Sequence, residues 1–286
     1  MNSKTQRVCG GGWNWHHGAQ AGALMLALLL ATAACGAPQT PIKSSPQPVK
    51  PAPQADQDVV FEPLVPGVWV HTSFKEMQRW GNVPTNGLIV ENGDHSVLVD
   101  TAWNDAQTEQ IVQWAKRELG KPIQMAVFTH AHEDKMGGVG VLRRQGIKTF
   151  AAEDSNTFAA QRGMEPAEHA LAFDDAAVSG DVPPLVVFDP GPGHTLDNIV
   201  VGIPQAGVLF GGCLIRPGGA TSLGNTADGD IEHWDDAVEA AARRFPDAQH
   251  VVPSHGPPAG RELLDLTVSL VQARLKKQTE AQPAAK

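Results

Sequence analysis

The stretch "THAHEDKMGG", residues 129–138, sets two histidines and an aspartate on alternate positions and follows them with a pair of glycines. It comes directly after "MAVF", an apolar run that predicts a buried strand at 125–128. Because alternate residues of an extended chain point to the same side, the side chains of His130, His132 and Asp134 can converge. Imidazole and carboxylate groups are zinc ligands, so the stretch predicts a metal-binding loop between a strand and a helix.

Three further candidate ligands lie far along the chain, each near the end of a predicted strand. His194 lies in "DPGPGHTLDN", Cys213 in "LFGGCLIR" and His255 in "VVPSHGPP". Taken singly, each has a plainer interpretation, because a loop histidine is usually solvated and a lone cysteine is often a small buried apolar residue. All three lie at strand-to-loop junctions, where α/β folds assemble their sites, so we treat them as candidate ligands. Zinc takes about four ligands, and a catalytic zinc leaves one position to water.

The chain begins with a segment that is not expected to fold as part of a domain. Residues 1–20 carry two basic residues and no acidic one, and the apolar run at 21–34 ends in small residues before Cys35. A membrane-spanning helix needs roughly 20 apolar residues, which this run does not reach. Residues 1–35 therefore predict a secretory signal peptide, with Cys35 as a lipoprotein-type acceptor of lipid. A short retained anchor helix, or a plain cleavage site that leaves Cys35 unmodified, are the alternatives.

The remainder of the chain divides into a linker and one domain. Residues 36–58 contain six prolines and no aromatic residue, so they predict a proline-rich linker without a core. Residues 59–286 suit a single domain of ordinary size. From Asp56 onward the chain holds all 31 acidic and 18 of the 22 basic residues, a formal charge of −13. That acidity argues against a nucleic-acid partner, which would require a basic surface.

Short valine-rich apolar runs alternate with amphipathic segments in both halves of this domain. Strands are predicted at 68–72, 87–90, 96–99, 125–128, 185–188, 199–202, 208–210 and 250–252, and helices at 105–119, 231–245 and 261–276. Strand clusters separated by helices in both halves favour two sheets packed face to face with helices outside, a four-layer αβ/βα sandwich of the α/β class. A doubly wound parallel sheet is the alternative. It is disfavoured because Asn92–Gly93 in "LIVENGDHSVLV" predicts a tight hairpin turn.

The order of these motifs resembles that of the metallo-β-lactamases, and specifically of subclass B1. The similar stretches are "NGLIVENG", "LVDTAWND", "THAHEDKMGG", "DPGPGHTLDN", "GGCLIR", "SLGN" and "SHGPP", spread over roughly residues 65–270. Within the subclass the resemblance is nearest to the New Delhi-type enzymes, which are lipoproteins. The wider fold usually reads H-x-H-x-D-H, whereas Lys135 stands here in the place of the last histidine. Cys213 would supply the missing ligand, and that exchange marks subclass B1.

The resemblance implies two zinc ions and a hydrolytic reaction. His130, His132 and His194 would hold the first zinc, and Asp134, Cys213 and His255 would hold the second. A hydroxide bridging both metals would attack the lactam carbonyl of a β-lactam, without a covalent enzyme intermediate. Asp134 would orient that hydroxide and pass a proton onward.

The resemblance also implies a set of substrate contacts. Arg216 would hold the substrate carboxylate, and Asn225 would help to polarise the lactam carbonyl as a catalytic group. Apolar contacts would come from a mobile loop and from the wall opposite it: Met77, Trp80, Val83 and Trp103. A solvated arginine, an ordinary turn asparagine and a core tryptophan are the plainer interpretations. Lys75 and Glu133 depart from the residues of the nearest relatives.

The sequence therefore predicts a zinc-dependent β-lactamase that confers resistance to penicillins, cephalosporins and carbapenems. We expect a monomer in the periplasm, attached to the outer membrane through lipid on Cys35, with a small-molecule β-lactam as substrate. Another hydrolase of the same fold, a thioesterase or a lactonase, is the enzymatic alternative. A zinc-binding lipoprotein without catalytic activity is the alternative from a different class.

Overall fold

The computed structural model describes residues 59–281, so the predicted signal peptide at 1–35, including Cys35, and the linker at 36–58 lie outside the described residues. The strands of this part are β1 Val59–Val65, β2 Val68–Met77, β3 Gly81–Asn92, β4 His95–Val99, β5 Ile123–Phe128, β6 Lys148–Ala151, β7 His169–Ala170, β8 Val178–Ser179, β9 Val186–Phe188, β10 Val200–Ile203, β11 Val208–Gly212 and β12 His250–Pro253. The helices are α1 Asp105–Glu118, α2 Glu133–Met136, α3 Val139–Arg144, α4 Glu153–Gln161, α5 Trp234–Arg244 and α6 Glu262–Ala281, with a 3₁₀ turn at Pro204–Ala206.

The strands form two sheets. The first has seven strands in the order β1-β2-β3-β4-β5-β6-β7, antiparallel up to β4 and parallel from β4 onward. The second has five strands in the order β12-β11-β10-β9-β8, in which β12 and β11 alone run parallel within the described sheet. Two sheets of this kind exclude the doubly wound parallel sheet. The predicted hairpin turn is also present, with Asn92 opposite His95 and Gly93 in the left-handed region at φ 62°.

The two sheets pack face to face, and the helices cover their outer faces. In β4, Val97 and Val99 lie in the core between the sheets, whereas Leu98 lies in the core beneath α1 and α3. In β11, Phe210 faces the first sheet and Leu209 packs beneath α5 and α6. Full burial of each such side chain contributes about 1.5–3 kcal/mol. The alternation of apolar residues to both faces of a strand explains the continuous apolar runs and confirms the predicted four-layer αβ/βα sandwich.

Every predicted strand and helix overlaps an observed element and extends past its ends by at most three residues, but several short elements were not predicted. Strands β1, β6, β7 and β8 and helices α2 and α4 have no counterpart in the prediction, whereas α3 is the helix predicted after the histidine loop. Most of these elements are too short to show a periodic pattern of apolar residues. Strand β1 is half-exposed, lies at the edge of its sheet and contains Pro63. None of the helices within residues 59–281 combines the length and apolarity needed to cross a membrane.

Backbone hydrogen bonds join the two sheets at one edge. The amide of Asn86 in β3 donates to the carbonyl of Ser254 at 2.7 Å, and the amide of Ile199 donates to the carbonyl of Thr129 at 2.9 Å. The amide of Ser254 donates to the carbonyl of Gly212 at 2.9 Å. The segments that follow β5, β9, β11 and β12 therefore meet at this edge, and these segments carry the candidate ligands.

Candidate metal centre

The first group of candidate ligands consists of three histidines, which we call the histidine set: His130, His132 and His194. Nε2 of His130 lies 3.1 Å from Nδ1 of His132, and Nε2 of His194 lies 3.3 Å from the same Nδ1. The ligand nitrogens all lie within 4.8 Å of one another. Two nitrogens that bind zinc tetrahedrally at 2.0–2.1 Å are about 3.3–3.4 Å apart, so the spacing of the histidine set fits that ion.

The second group, which we call the cysteine set, consists of Asp134, Cys213 and His255. Sγ of Cys213 lies 3.9 Å from Oδ2 of Asp134 and 3.6 Å from Nε2 of His255, and the remaining pair of atoms is 3.8 Å apart. A sulfur at 2.3 Å and a nitrogen near 2.0 Å from one zinc are about 3.6 Å apart, so this spacing also fits zinc. Cys213 is free and buried, which leaves its sulfur available as a ligand.

Buried carboxylates outside both sets hold the histidine loop in place. Asp100, the first residue after β4, accepts hydrogen bonds from the Thr129 amide at 2.7 Å and from the Thr129 hydroxyl at 2.9 Å. Oδ2 of Asp197 accepts the amide of Ala131 at 2.8 Å. These bonds fix the backbone on both sides of His130, and the Thr129 hydroxyl lies 3.1 Å from Nδ1 of the His130 ring. Such outer partners set the direction of metal-binding histidines in general.

The glycine pair at the end of the opening stretch has a steric explanation. A side chain at Gly137 would collide with the backbone of Trp103, and one at Gly138 would collide with Thr108 of α1. The short helix α2, which carries Asp134, can therefore pack closely against α1 only because both positions lack a side chain. The close packing also lets the Thr101 hydroxyl bond to the amide of Gly138 at 3.1 Å.

Burial favours the neutral form, which binds metal, at two of the candidate imidazoles. The pKa of His130 lies well below 6.5, first because the ring is buried and then because His132 and His194 are close. Burial also lowers the pKa of His255, although Asp134 opposes that change. For Asp134 itself, burial raises the pKa, but Lys135 and then His255 outweigh that effect and hold the carboxyl well below its usual range. The site thus offers two neutral imidazoles, those of His130 and His255, and one ionised carboxylate.

Lys135 is a fully buried cation beside the cysteine set. Its ammonium lies 3.1 Å from Oδ2 of Asp134 and 3.8 Å from Oδ2 of Asp100, and it donates to the hydroxyl of Thr85 at 2.6 Å. Burial lowers the pKa of Lys135, but the attraction of Asp134 and then of Cys213 outweighs that effect and raises it. Lys135 therefore stays charged, so it balances an anionic ligand set and is not itself a ligand.

Arg216 lies beside the cysteine set without an ionic partner. It is half-buried, and burial lowers its pKa while Cys213 opposes that change. None of the ion pairs formed within residues 59–281 includes Arg216, and its buried Nε has no hydrogen-bond partner. Its guanidinium packs against Gly224, next to the exposed Asn225. The arrangement leaves an unpaired guanidinium available to an anion.

The stretch at 73–87, predicted as a mobile loop over the site, is mostly paired as the β2–β3 hairpin. Only three residues, 78–80, lie outside its strands, and Trp80 near the tip is 54% exposed. Met77 and Val83 are half-buried on the two strands. An exposed indole at the end of a two-stranded projection can contact a bound molecule, and the strand pairing limits how far it moves.

Two residues before the end of β2 in this hairpin, Lys75 pairs with Glu133, the residue between His132 and Asp134. Its ammonium lies 2.7 Å from both carboxylate oxygens. The same ammonium lies 5.6 Å from the centre of the Trp103 ring, which is only 7% exposed. Trp103 is therefore a buried residue, as the plainer core interpretation expects, and the negative charge of Glu133 is locally compensated.

A separate cavity of about 460 Å³ opens between the end of α5 and the start of β11, where Arg243, Phe245 and Pro204 line it. It contains no member of either ligand set. Its size alone does not make it the functional site, because no titratable cluster or orphaned buried polar group on its lining points to chemistry there. The metal-ligand sets at the sheet edge are the stronger candidate.

The structure brings together all six ligands that the sequence predicted. The sequence did not identify the residues that support them. Asp100, Asp228, Thr85 and Asn86 were given no role. Asp100 carries the most visible signal, an acidic residue directly after the apolar run 97–99 of β4. Thr85 carries none, because a threonine is common in any strand.

The fold and the two donor sets define a candidate metalloprotein of the αβ/βα sandwich class. Residues 80–260 match the family described as the metallo-β-lactamase superfamily. The metallo-β-lactamase type 2 of Bacteroides fragilis is 38% identical over 214 residues, which cover 75% of this chain and 86% of that protein. The chain belongs to the metallo-β-lactamase superfamily.

Solved structures of similar proteins agree with this assignment. The metallo-β-lactamase FIM-1 from Pseudomonas aeruginosa, solved in a mono-zinc form, is 61% identical with a TM-score of 0.75, covering 78% of this chain and 98% of that chain. A metallo-β-lactamase from Hirschia baltica is 51% identical with a TM-score of 0.73, covering 75% of this chain and 98% of that chain.

Proposed function

We propose that this protein is a zinc-dependent β-lactamase that opens the lactam ring of β-lactam antibiotics and thereby confers resistance. The observation that carries the proposal is the adjacency of the two ligand sets, in which the ligand atoms of each lie within 4.8 Å of one another. Asp134 of the cysteine set also interacts electrostatically with His130 and His132 of the histidine set. The named relatives, which are metallo-β-lactamases, support the same activity.

The chain's own residues have distinct tasks in the proposed reaction. Zinc, when bound, lowers the pKa of a coordinated water to about 7 and polarises a carbonyl oxygen. Asp134 would orient the attacking water and receive its proton at the carboxylate. Arg216 would bind the carboxylate beside the lactam nitrogen, and Asn225 would donate from its amide to the lactam carbonyl oxygen. The apolar hairpin side chains Met77, Trp80 and Val83 would exclude water from the bound ring, whereas the buried Trp103 would act only from beneath Lys75.

The finer assignment, subclass B1 with two zinc ions, is also our proposal. It is supported by the cysteine set, whose spacing fits zinc. It is also supported by Lys135, which stands where the H-x-H-x-D-H motif of the wider fold has its last histidine. Three neutral imidazoles in one set and an anionic carboxylate with a thiolate in the other would give two sites of different charge. The particular likeness to New Delhi-type enzymes stays a prediction.

We also propose that the protein is a monomeric lipoprotein of the periplasm, held at the outer membrane by lipid on Cys35. The support is the sequence of residues 1–58, in which an apolar run, a cysteine and a proline-rich stretch follow one another. A linker of this composition extends by about 3.1 Å per residue, so it would let the domain stand clear of the membrane surface.

A hydrolysis assay with and without a metal chelator tests the proposed function. Purified protein should hydrolyse the chromogenic cephalosporin nitrocefin, lose the activity in the chelator and regain it on addition of zinc. Thioester and lactone substrates, assayed in parallel, test the alternative hydrolases. Hydrolysis of a thioester or lactone without hydrolysis of nitrocefin would contradict the proposal, and so would metal binding without hydrolysis of any of them.

A further inference from the structure

Three consecutive residues of β3 each contact the cysteine set or the loop that carries its histidine. The carbonyl of Pro84 accepts from Nδ1 of His255 at 2.7 Å. The hydroxyl of Thr85 donates to Oδ2 of Asp134 at 2.9 Å. The side-chain amide of Asn86 donates to the carbonyls on both sides of His255, Pro253 at 2.9 Å and Gly256 at 2.7 Å. We call residues 84–86 the β3 bracket.

The histidine set has its own supports, and they come from other elements. Asp100 after β4 holds Thr129, whose hydroxyl lies 3.1 Å from Nδ1 of His130. Oδ2 of Asp228 lies 2.9 Å from Nε2 of His132. No hydrogen bond within residues 59–281 links the β3 bracket directly to a member of the histidine set. Lys135, which lies 3.8 Å from Asp100 and donates to Thr85, is the link between the two supports, and the direct hydrogen bonds to each set otherwise come from different residues.

The hydrogen-bond direction at Thr85 is fixed by Lys135. A lysine ammonium can only donate, so the Thr85 hydroxyl must accept from Lys135 and give its own proton to Asp134. Thr85 and Lys135 are fully buried and Asp134 is 5% exposed, so water does not compete for these bonds. The hydroxyl thus holds the Asp134 carboxylate by the same oxygen that faces Cys213 and His255.

We propose that Thr85 is a positioning residue for a metal bound by the cysteine set, acting through Asp134, and that the β3 bracket supports this set alone. The inference rests on the proposed assignment of Asp134, Cys213 and His255 to a second metal. Outer partners of metal ligands typically contribute 10- to 100-fold to metal affinity. Thr85→Val removes the hydroxyl and keeps the side-chain volume, so we expect the second-metal affinity to fall by about that factor.

The experiment is a cobalt(II) titration of metal-free full-length protein. Cobalt bound to a thiolate gives a charge-transfer absorption in the near ultraviolet that reports on Cys213, while visible bands report on total bound metal, and competition with a chelator gives both dissociation constants. Thr85→Ser keeps the hydroxyl but loses the methyl group. Asp228→Ala removes the support of His132. Thr149→Val is the matched control, because Thr149 is a fully buried threonine of β6 whose hydroxyl accepts the amide of Glu168.

The inference requires that Thr85→Val and Asp228→Ala each weaken metal binding at one site and leave the other site unchanged. Thr85→Val should lose the thiolate band at cobalt concentrations that saturate the wild type, Thr85→Ser should retain it, and Asp228→Ala should weaken the histidine set only. Thr85→Val with unchanged second-site affinity, equal losses in the valine and serine variants, or equal weakening of both sites would each overturn it. A wild type without any thiolate band would instead refute the second-metal assignment, and the inference with it.

Discussion

Replacing Arg216 by methionine is the perturbation that tests substrate recognition apart from metal binding. Methionine keeps an apolar stem of similar length against Gly224 but removes the charge. The common β-lactam drugs carry a carboxylate beside the lactam nitrogen, whereas the chain from Asp56 onward has a formal charge of −13 and repels anions at long range. A local cation must compensate, and Arg216 lies at the cysteine set without a carboxylate partner among residues 59–281.

The size of the effect follows from the environment of the guanidinium. A hydrogen bond to a charged group contributes about 1.5–3 kcal/mol, and each 1.4 kcal/mol is a factor of about ten. Arg216 forms no ion pair within residues 59–281, so binding of the substrate carboxylate breaks none. The full free energy of the new hydrogen bond therefore counts toward binding. Arg216→Met should therefore lower kcat/KM for a carbapenem by about 10- to 150-fold. Most of the loss should appear in KM, since the carboxylate is bound alike in the ground and transition states.

Steady-state kinetics with one penicillin and one carbapenem, together with zinc analysis, measure this effect. Arg216→Lys should recover much of the activity, and zinc content should stay the same in both variants. Arg243→Met is the matched control, because Arg243 is an exposed arginine of α5 paired with Glu239, and its removal changes the net charge equally. Equal losses in the Arg216 and Arg243 variants would mean that long-range charge alone acts. An unaltered KM in Arg216→Met would refute the contact.

Three further predictions concern the metal ligands and the N-terminal segment. Cys213→Ser should retain one zinc per chain and lose the second, because a hydroxyl is a poorer zinc ligand than a thiolate; elemental analysis after dialysis checks this. Burial lowers the pKa of His130 and His255 below 6.5, so lowering the pH from 7.5 to 6.5 should not release zinc into a metal-free buffer, and loss of zinc at 6.5 would contradict neutral imidazoles. Cys35→Ala should release active enzyme into the soluble periplasm, as fractionation and a nitrocefin assay would show; unchanged membrane association would indicate an uncleaved apolar segment.

The sequence predicts the layers of the fold and the candidate ligands because both leave local signals. Apolar runs with turn residues between them mark the strands, and alternate polar residues after β5 mark His130 and His132. The supporting residues leave no such signal. Thr85 touches Asp134 across 49 positions, and Asn86 touches Pro253 across 167. Contacts of that kind exist only once the two sheets have packed, so a single sequence without its fold cannot identify them.

Lys135 shows how far a single substitution in a motif can be interpreted. From the sequence, its place argues only that one histidine ligand is absent and that another ligand must replace it. In the structure, its ammonium is fully buried and lies 3.1 Å from Asp134, where a removed partner would leave an uncompensated buried charge at a cost of about 3–5 kcal/mol. The same ammonium fixes the direction of the Thr85 hydroxyl. A position that could have supplied a ligand instead supplies a fixed positive charge, which balances the ionised carboxylate of Asp134. The exchange of histidine for lysine therefore changes both the ligand set and the charge that surrounds it.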